Sequence, residues 1–379
     1  MKPFEPENLP PRDLDFLALM PIVGKANRAI ATLEGLFYGI PNPNVLLSPI
    51  TTQEAVLSSK IEGTQADLED VLKFEAGEQP AEPSRREDID EIMNYRKALR
   101  LSERLLQDRP FCLNSLLKLH EALMDSVRGH NKARGHFRTI QNWIGKPGST
   151  IEEAAFVPPS PFGLQDHLNR WEAYWHADAP DALVQLALVH GQFEILHPFI
   201  DGNGRLGRMV IPLFLYEKKI LSRPCFYLSA YLEARRDDYF VRLRELGQPG
   251  SWTRWCAFFL EGVAIQAEAN TAKARAIQDL YERLKNRVLE LTHSQFAVPL
   301  LDFIFERPIF RGSDVTKLDH MPSAPMVANL LGTLRRSGIL YTVREGAGRR
   351  PHVLALAELI NLCEGRQVFA TRVVQGKAP

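Results

Sequence analysis

The twelve residues His197-Pro-Phe-Ile-Asp-Gly-Asn-Gly-Arg-Leu-Gly-Arg208 constrain this chain more than any other stretch. An imidazole, a carboxylate, three glycines, an asparagine and two guanidiniums fall close together. Upstream, Asp181 to Leu196 reads as a helix, with Leu183, Leu186, Ala187, His190 and Ile195 near one face. Pro198 stops its hydrogen-bond ladder at His197. Gly202, Asn203 and Gly204 predict a tight turn. Arg205 to Lys218 predicts a second helix with Pro212 inside it. A glycine-rich loop therefore opens a helix.

That placement makes an anion site, because the first N–H groups of a helix lack intrahelical partners and the helix dipole favours negative charge there. Glycines let a phosphate approach the backbone. Arg205 and Arg208 share a helix face and both reach the anion. Asp201 is a hard oxygen ligand suited to Mg²⁺, which takes one or two carboxylates plus substrate phosphates. His197, with a reference pKa of about 6.5, is a candidate general base. The set points to nucleotidyl or phosphoryl transfer. Gly202 to Gly207 also spells the dinucleotide fingerprint G-x-G-x-x-G, but a helix precedes it where that fingerprint needs a strand. The Gly-Lys-Ser/Thr ending of a Walker A loop is absent.

The stretch resembles the Fic family motif, His-Pro-Phe-x-Asp/Glu-Gly-Asn-Gly-Arg-x-x-Arg, at every defined position. The resemblance implies ATP-dependent protein adenylylation, the transfer of AMP to a Tyr, Ser or Thr hydroxyl of a target protein or of the chain itself. It implies His197 as the catalytic base and Asp201 as the Mg²⁺ ligand. Gly202, Asn203, Gly204 and Arg205 would cradle the α- and β-phosphates and Arg208 the γ-phosphate, with Leu206 and Gly207 in the same ATP-binding stretch. A second segment, Ser58-Ser-Lys-Ile-Glu62-Gly63, resembles the family's inhibitory helix. Glu62 near a helix C-terminus is disfavoured by the dipole, which suggests another reason for its place. The resemblance implies that Glu62, with Ser58, inhibits the enzyme by pairing with Arg208. By position, Tyr239 is the candidate nucleobase contact, ahead of Phe240 and Tyr231.

Composition narrows the class. The chain has 379 residues, with 46 basic and 46 acidic side chains, so no global basicity argues for nucleic acid. Cys112, Cys225, Cys256 and Cys363 lie far apart without metal spacing and read as reduced thiols of a cytoplasmic protein. The proline-rich start is no signal peptide, and no run of about 18 apolar residues predicts a membrane span.

The expected fold is mainly α: a Fic-type helical core with one β-hairpin flap, plus a C-terminal winged-helix domain. Residues 1–110 form an N-terminal helical region, in which Pro41 to Pro49 is a linker and Ser48 caps an inhibitory helix over about 50–63. Residues 111–262 form the Fic core, 263–291 a linking helix and 292–379 the winged-helix-like domain. Glycines, prolines and β-formers over Gly135 to Pro161 predict a hairpin. The resemblance makes it a flap, centred on Ile151 to Val157, that clamps the target by strand pairing. In the tail, Arg335 and Arg336 end a recognition-type helix and Arg349 and Arg350 lie in the wing. These four arginines could meet DNA phosphates, and dimerisation or protein contact stands beside that reading. Two further functions stay open: a nucleic-acid-binding regulator with a nucleotide-sensing core, and a Fic enzyme that removes AMP or transfers another nucleotide. A homodimer is a further expected partner state.

Overall fold

The computed structural model describes residues 2–38, 43–125, 132–146, 148–346 and 351–369. The helices run α1 (Phe16–Tyr38), α2 (Pro43–Ile61), α3 (Leu68–Glu75), α4 (Pro83–Asp108), α5 (Leu113–Leu123), α6 (Leu164–His176), α7 (Ala182–Leu196) and α8 (Asn203–Glu217). They continue with α9 (Ser229–Ala234), α10 (Arg236–Glu245), α11 (Ser251–Thr292) and α12 (Ala297–Glu306). Strand β1 (Ile309–Arg311), α13 (Gly312–Val315), α14 (Ala324–Arg336), β2 (Tyr341–Arg344), β3 (Val353–Ala355) and α15 (Ala357–Glu364) complete the order.

The chain divides into two compact units. The first comprises Met1–Tyr38, Leu57–Thr64 and Asp90–Asn270. Its centre is α7, which starts where Asp181 Oδ1 accepts the N–H groups of Leu183 and Val184 at 2.9 Å each. The sequence predicts one buried face for α7. Instead every residue from Leu183 to Leu196 is buried, because α1, α6, α8 and α10 all pack against the helix. Its polar residues are consequently core groups. Gln185 Nε2, for example, donates to Tyr174 O at 2.7 Å and Ala177 O at 2.9 Å. On α6, Trp171 and Trp175 are buried together with Phe111, whose ring stacks on Trp175 at 4.1 Å. Each such aromatic stabilises the fold by about 1.5–3 kcal/mol through burial.

Three expectations are corrected here. The Pro41 to Pro49 linker is helical from Pro43, so Ser48 does not cap α2 and Pro49 lies inside it, forfeiting one hydrogen bond. The hairpin shrinks to one bridge, Ile144↔Phe156, with Ile151–Glu153 in a 3₁₀ turn. Its β-formers cannot extend the ladder, because Pro158 and Pro159 offer no N–H to a partner. Finally, α1 is long and apolar enough by length and composition to cross a membrane. One stripe of it, including Leu19, Val23, Ala26, Ile30 and Leu33, is core, and Asn27 Nδ2 bonds Asp181 Oδ2 at 2.8 Å.

The second unit comprises Gly39–Val56, Gln65–Ile89 and Thr271–Pro379. Its antiparallel sheet has the order β1-β3-β2, with Phe310 and Thr342 flanking Leu354 and a bulge between Thr342 and Arg344. Strand β1 was not expected from the sequence; three residues are too few for a period to register. The sheet packs with α3 against β1, and Leu300, Ile304, Val327, Leu331 and Leu334 are buried in the same unit. Arg349 and Arg350 lie outside the described residues, as does Pro147 in the first unit.

Candidate active site

The site forms where α7 hands over to α8. Helix α7 ends at Leu196, and His197 takes the left-handed conformation, φ 45° and ψ 58°. That region is costly for a non-glycine residue, all the more before proline. Arg138 stabilises it: its Nε donates to His197 O at 2.9 Å, its Nη2 to Pro159 O at 2.5 Å, and its backbone N–H to Pro198 O at 2.9 Å. The His197 Nδ1 atom is buried without a hydrogen-bond partner. Burial lowers the imidazole pKa to about 4, so the ring is neutral at pH 7 and able to accept a proton.

The loop after His197 is fixed by its own side chains. Asn203 Oδ1 accepts Phe199 N–H at 2.8 Å and its Nδ2 donates to Phe199 O at 2.9 Å. The Asn203 side-chain amide therefore shapes the loop, and the backbone N–H of Asn203 is the group it offers to an anion at the start of α8. Gly202 caps α8 with φ 80°, a conformation that favours glycine. His120 stacks on Phe199 and bridges the loop: its Nδ1 accepts Gly135 N–H and its Nε2 donates to Asp201 O, both at 3.0 Å.

Asp201 is partly exposed and its Oδ1 accepts Gly202 N–H at 2.6 Å, with Arg205 Nη2 3.8 Å away. Among the described residues no three His, Cys, Asp or Glu side chains converge on a metal position. One accessible carboxylate fits a Mg²⁺ ion that draws its other ligands from phosphates and water, not a resident protein-caged metal.

Both arginines are engaged. Arg205 Nη1 pairs with Glu91 Oε2 at 2.9 Å. Arg208 is 1% exposed in its side chain; its Nη2 donates to Glu62 Oε1 at 2.6 Å and Ser58 O at 2.8 Å, and its Nε to Ser58 Oγ at 2.9 Å. Burial opposes the Glu62 charge, yet the charge and hydrogen bond of Arg208, with Arg205 and His197 beyond, hold its pKa below the ordinary value. A Cβ at Gly204 would lie 2.2 Å from Glu62 Oε1. The carboxylate thus rests on the Gly204 α-carbon, at the first turn of α8.

The remaining expected ATP contacts lie elsewhere. Leu206 is fully buried core. Gly207 serves helix packing, since its absent Cβ leaves room for Glu194 Oε1, and its carbonyl accepts from His190 Nδ1 at 3.0 Å. Tyr239 is 1% exposed, with its hydroxyl donating to His190 Nε2 at 3.1 Å, so it offers no face for a nucleobase to stack on. Burial pushes Glu194 up to about 7 against the pull of Arg208. Sequence reasoning missed Arg138, Glu91 and Glu194, and placed His190 only as a core residue. The signal for Glu194 and His190 was a titratable pair on a helix whose other residues are apolar but for Gln185 and Gln192. Arg138 gave none, because it sits in an irregular segment.

Backbone amides at a helix N-terminus, a neutral histidine and a buried arginine held by a carboxylate meet at one place on a helical scaffold, the makings of an anion site. The chain belongs to the Fic/DOC family: the Fic/DOC family N-terminal profile matches residues 20–103 and the Fic/DOC family profile residues 86–215. It is 25% identical over 195 residues to a probable protein adenylyltransferase of Aquifex aeolicus, covering 50% of this chain and 56% of that one. A protein adenylyltransferase Fic of Nematostella vectensis is 27% identical over 160 residues, covering 41% of this chain and 35% of that one. The chain thus spans little more than half, or less, of these curated relatives. Among solved structures, a Fic family protein from Desulfovibrio desulfuricans G20 aligns with TM-score 0.55 and 18% identity, covering 94% of this chain and 98% of that one. Fic-1 of C. elegans aligns with TM-score 0.52 and 19% identity over 69% of this chain and 74% of that one. These two likenesses establish the fold, which is mainly α.

Proposed function

We propose that this chain is a protein adenylyltransferase that transfers AMP from ATP to a Tyr, Ser or Thr hydroxyl, with pyrophosphate as the leaving group, and that Glu62, directly after α2, inhibits it. One observation carries the reading: a carboxylate, Glu62, occupies the anion position over Gly204 while gripping Arg208. A triphosphate chain reaching the amides of α8 would need the same glycine surface and the same guanidinium. His197 accepts the proton of the attacking hydroxyl, as a neutral imidazole can at pH 7. The N-terminal amides of α8, with Arg205, stabilise charge on the α- and β-phosphates. Arg208, once released, holds the γ-phosphate and fixes the in-line direction of attack. Asp201 would hold Mg²⁺, which supplies charge neutralisation when bound with the nucleotide. Incubation of the Glu62→Gly protein with α-labelled ATP tests this: label should appear on protein, and none should appear when His197→Ala is added. Label from γ- but not α-labelled ATP would overturn it.

The tail reads as a winged helix used for protein contact. Arg335 pairs with Glu345 at 3.1 Å, and the outward Pro325, Met326, Ala328 and Asn329 of α14 carry no charge, leaving Arg336 at its end as the exposed cation of the helix. A salt-dependent gel shift on duplex DNA would overturn this second reading.

A further inference from the structure

Residues 2–15 do not hang free. Phe4 N–H donates to Val157 O at 2.9 Å, and the Phe4 ring packs on Phe156 at 5.5 Å and over the α-carbon of Gly247. Gln192 Nε2 donates to Glu7 O at 3.1 Å, and Trp252 Nε1 to Glu7 Oε1 at 2.8 Å. Further on, Asp13 Oδ2 accepts Gly250 N–H at 2.6 Å and Asp15 N–H reaches Thr253 Oγ1 at 2.9 Å.

The partner of Phe4 is the segment expected to receive a target. Phe156 pairs with Ile144 on one edge, and Val157 O, pointing the opposite way along an extended chain, takes Phe4 on the other. Two residues further, Pro159 O shares the Arg138 guanidinium with His197 O. The edge filled by the arm is thus tied to the candidate base. The first 31 residues contain no Ser, Thr or Tyr, and Thr32 is the first hydroxyl. An occupant of that edge drawn from the arm has nothing to be modified.

We propose that residues 2–8 hold, in cis, the place of the target segment on the 155–157 edge. The place accepts an extended peptide whose aromatic side chain lies between Phe156 and Gly247, and the arm is its unreactive placeholder. This rests on the adenylyl-transfer reading. An aromatic pair of this kind corresponds to about two- to tenfold in occupancy.

The test uses the full chain carrying Glu62→Gly, and two probes. The first replaces each of residues 2–8 in turn by Tyr. AMP should map by mass spectrometry to the arm at one position or at alternate positions; label found elsewhere but never on the arm overturns the proposal. The second is a synthetic peptide of residues 2–8 carrying Phe4→Tyr, supplied in trans. Phe4→Gly in the protein should raise kcat/KM for it about two- to tenfold; an unchanged or lower value overturns the proposal. Should Phe4→Gly fail to fold, Glu7→Ala frees the arm at Trp252 instead, with the same expected sign. Fluorescence anisotropy of the labelled peptide separates the two readings. If no variant carries AMP, the transfer reading fails, and tighter peptide binding by Phe4→Gly than by its parent still supports the arm's place, whereas equal binding removes it.

Discussion

Glu62 Oε1 lies 2.6 Å from Arg208 Nη2, and the same oxygen would meet any Cβ at Gly204 at 2.2 Å. One carboxylate therefore does two things at once: it occupies the cation that a triphosphate would need and the glycine surface on which a phosphate would lie. The partners differ in exposure, 36% for the Glu62 side chain against 1% for Arg208. The arginine is built in, and the glutamate is the member that can leave.

Replacing Glu62 by Gly should raise label transfer from ATP about ten- to hundredfold. A charged hydrogen bond is worth about 1.5–3 kcal/mol net, and about 1.4 kcal/mol is one decade. Ser58 remains as a neutral partner for Arg208, so the guanidinium is not stranded. Equal label incorporation by wild type and Glu62→Gly, each at matched protein concentration, would remove the inhibitory role.

Gly204→Ala separates the two things Glu62 does. Its Cβ expels the carboxylate and frees Arg208, but it fills the surface the phosphate needs. The expected outcome is loss of ATP affinity by calorimetry and no gain in transfer, in contrast to Glu62→Gly. An activated Gly204→Ala protein would mean that the anion does not approach α8 at this residue.

Much of the site was legible in sequence because its chemistry is concentrated: a helix stopped by Pro198, a glycine turn and a helix N-terminus follow from local rules. Which atoms are free was not legible. Asn203 spends its amide on Phe199 four residues back, Leu206 is core and Tyr239 is sealed against His190 49 residues away; the first follows from the exact path of the loop and the last from tertiary packing, neither of which a residue pattern records. The fold shows the same division. Long periodic helices such as α4 and α11 could be read, whereas the three residues of β1 gave no signal and the extent of the hairpin, one bridge, was overestimated.

Arg138 makes a further test of positioning. Its guanidinium bonds both His197 O and Pro159 O, so Arg138→Ala should lower transfer about 10²-fold in the Glu62→Gly background, the scale of a 1 Å misplacement. ATP affinity should be nearly unchanged, because the amides of α8 do not depend on it. Stability should fall by about 1–3 kcal/mol for each buried carbonyl left unpaired. Chemical denaturation together with calorimetry checks both; an equal loss of ATP affinity and transfer would place Arg138 in nucleotide binding instead.

Acid should unfold this protein earlier than its neutral net charge suggests. Burial lowers His190 to about 3 and His120 to about 4, against about 6.5 in an unfolded chain. Between those values the unfolded state binds more protons, so stability rises with pH. The contribution is fully present above about 6.5 and is lost as pH falls toward about 4 for His120 and about 3 for His190. His197 has the same sign. Glu194 opposes them: raised to about 7, it takes up a proton on folding, and its contribution is lost as pH rises from about 4.5 to 7. Three histidines against one glutamate leave a net loss on acidification, at most about 1.4 kcal/mol per pH unit for each uncompensated proton. His190→Asn, which retains a donor for Gly207 O, should lower stability at pH 7 yet flatten its fall between pH 7 and 5 by about one proton. Denaturation curves at closely spaced pH values measure that slope directly, and an unchanged slope would mean that His190 does not stay neutral in the fold.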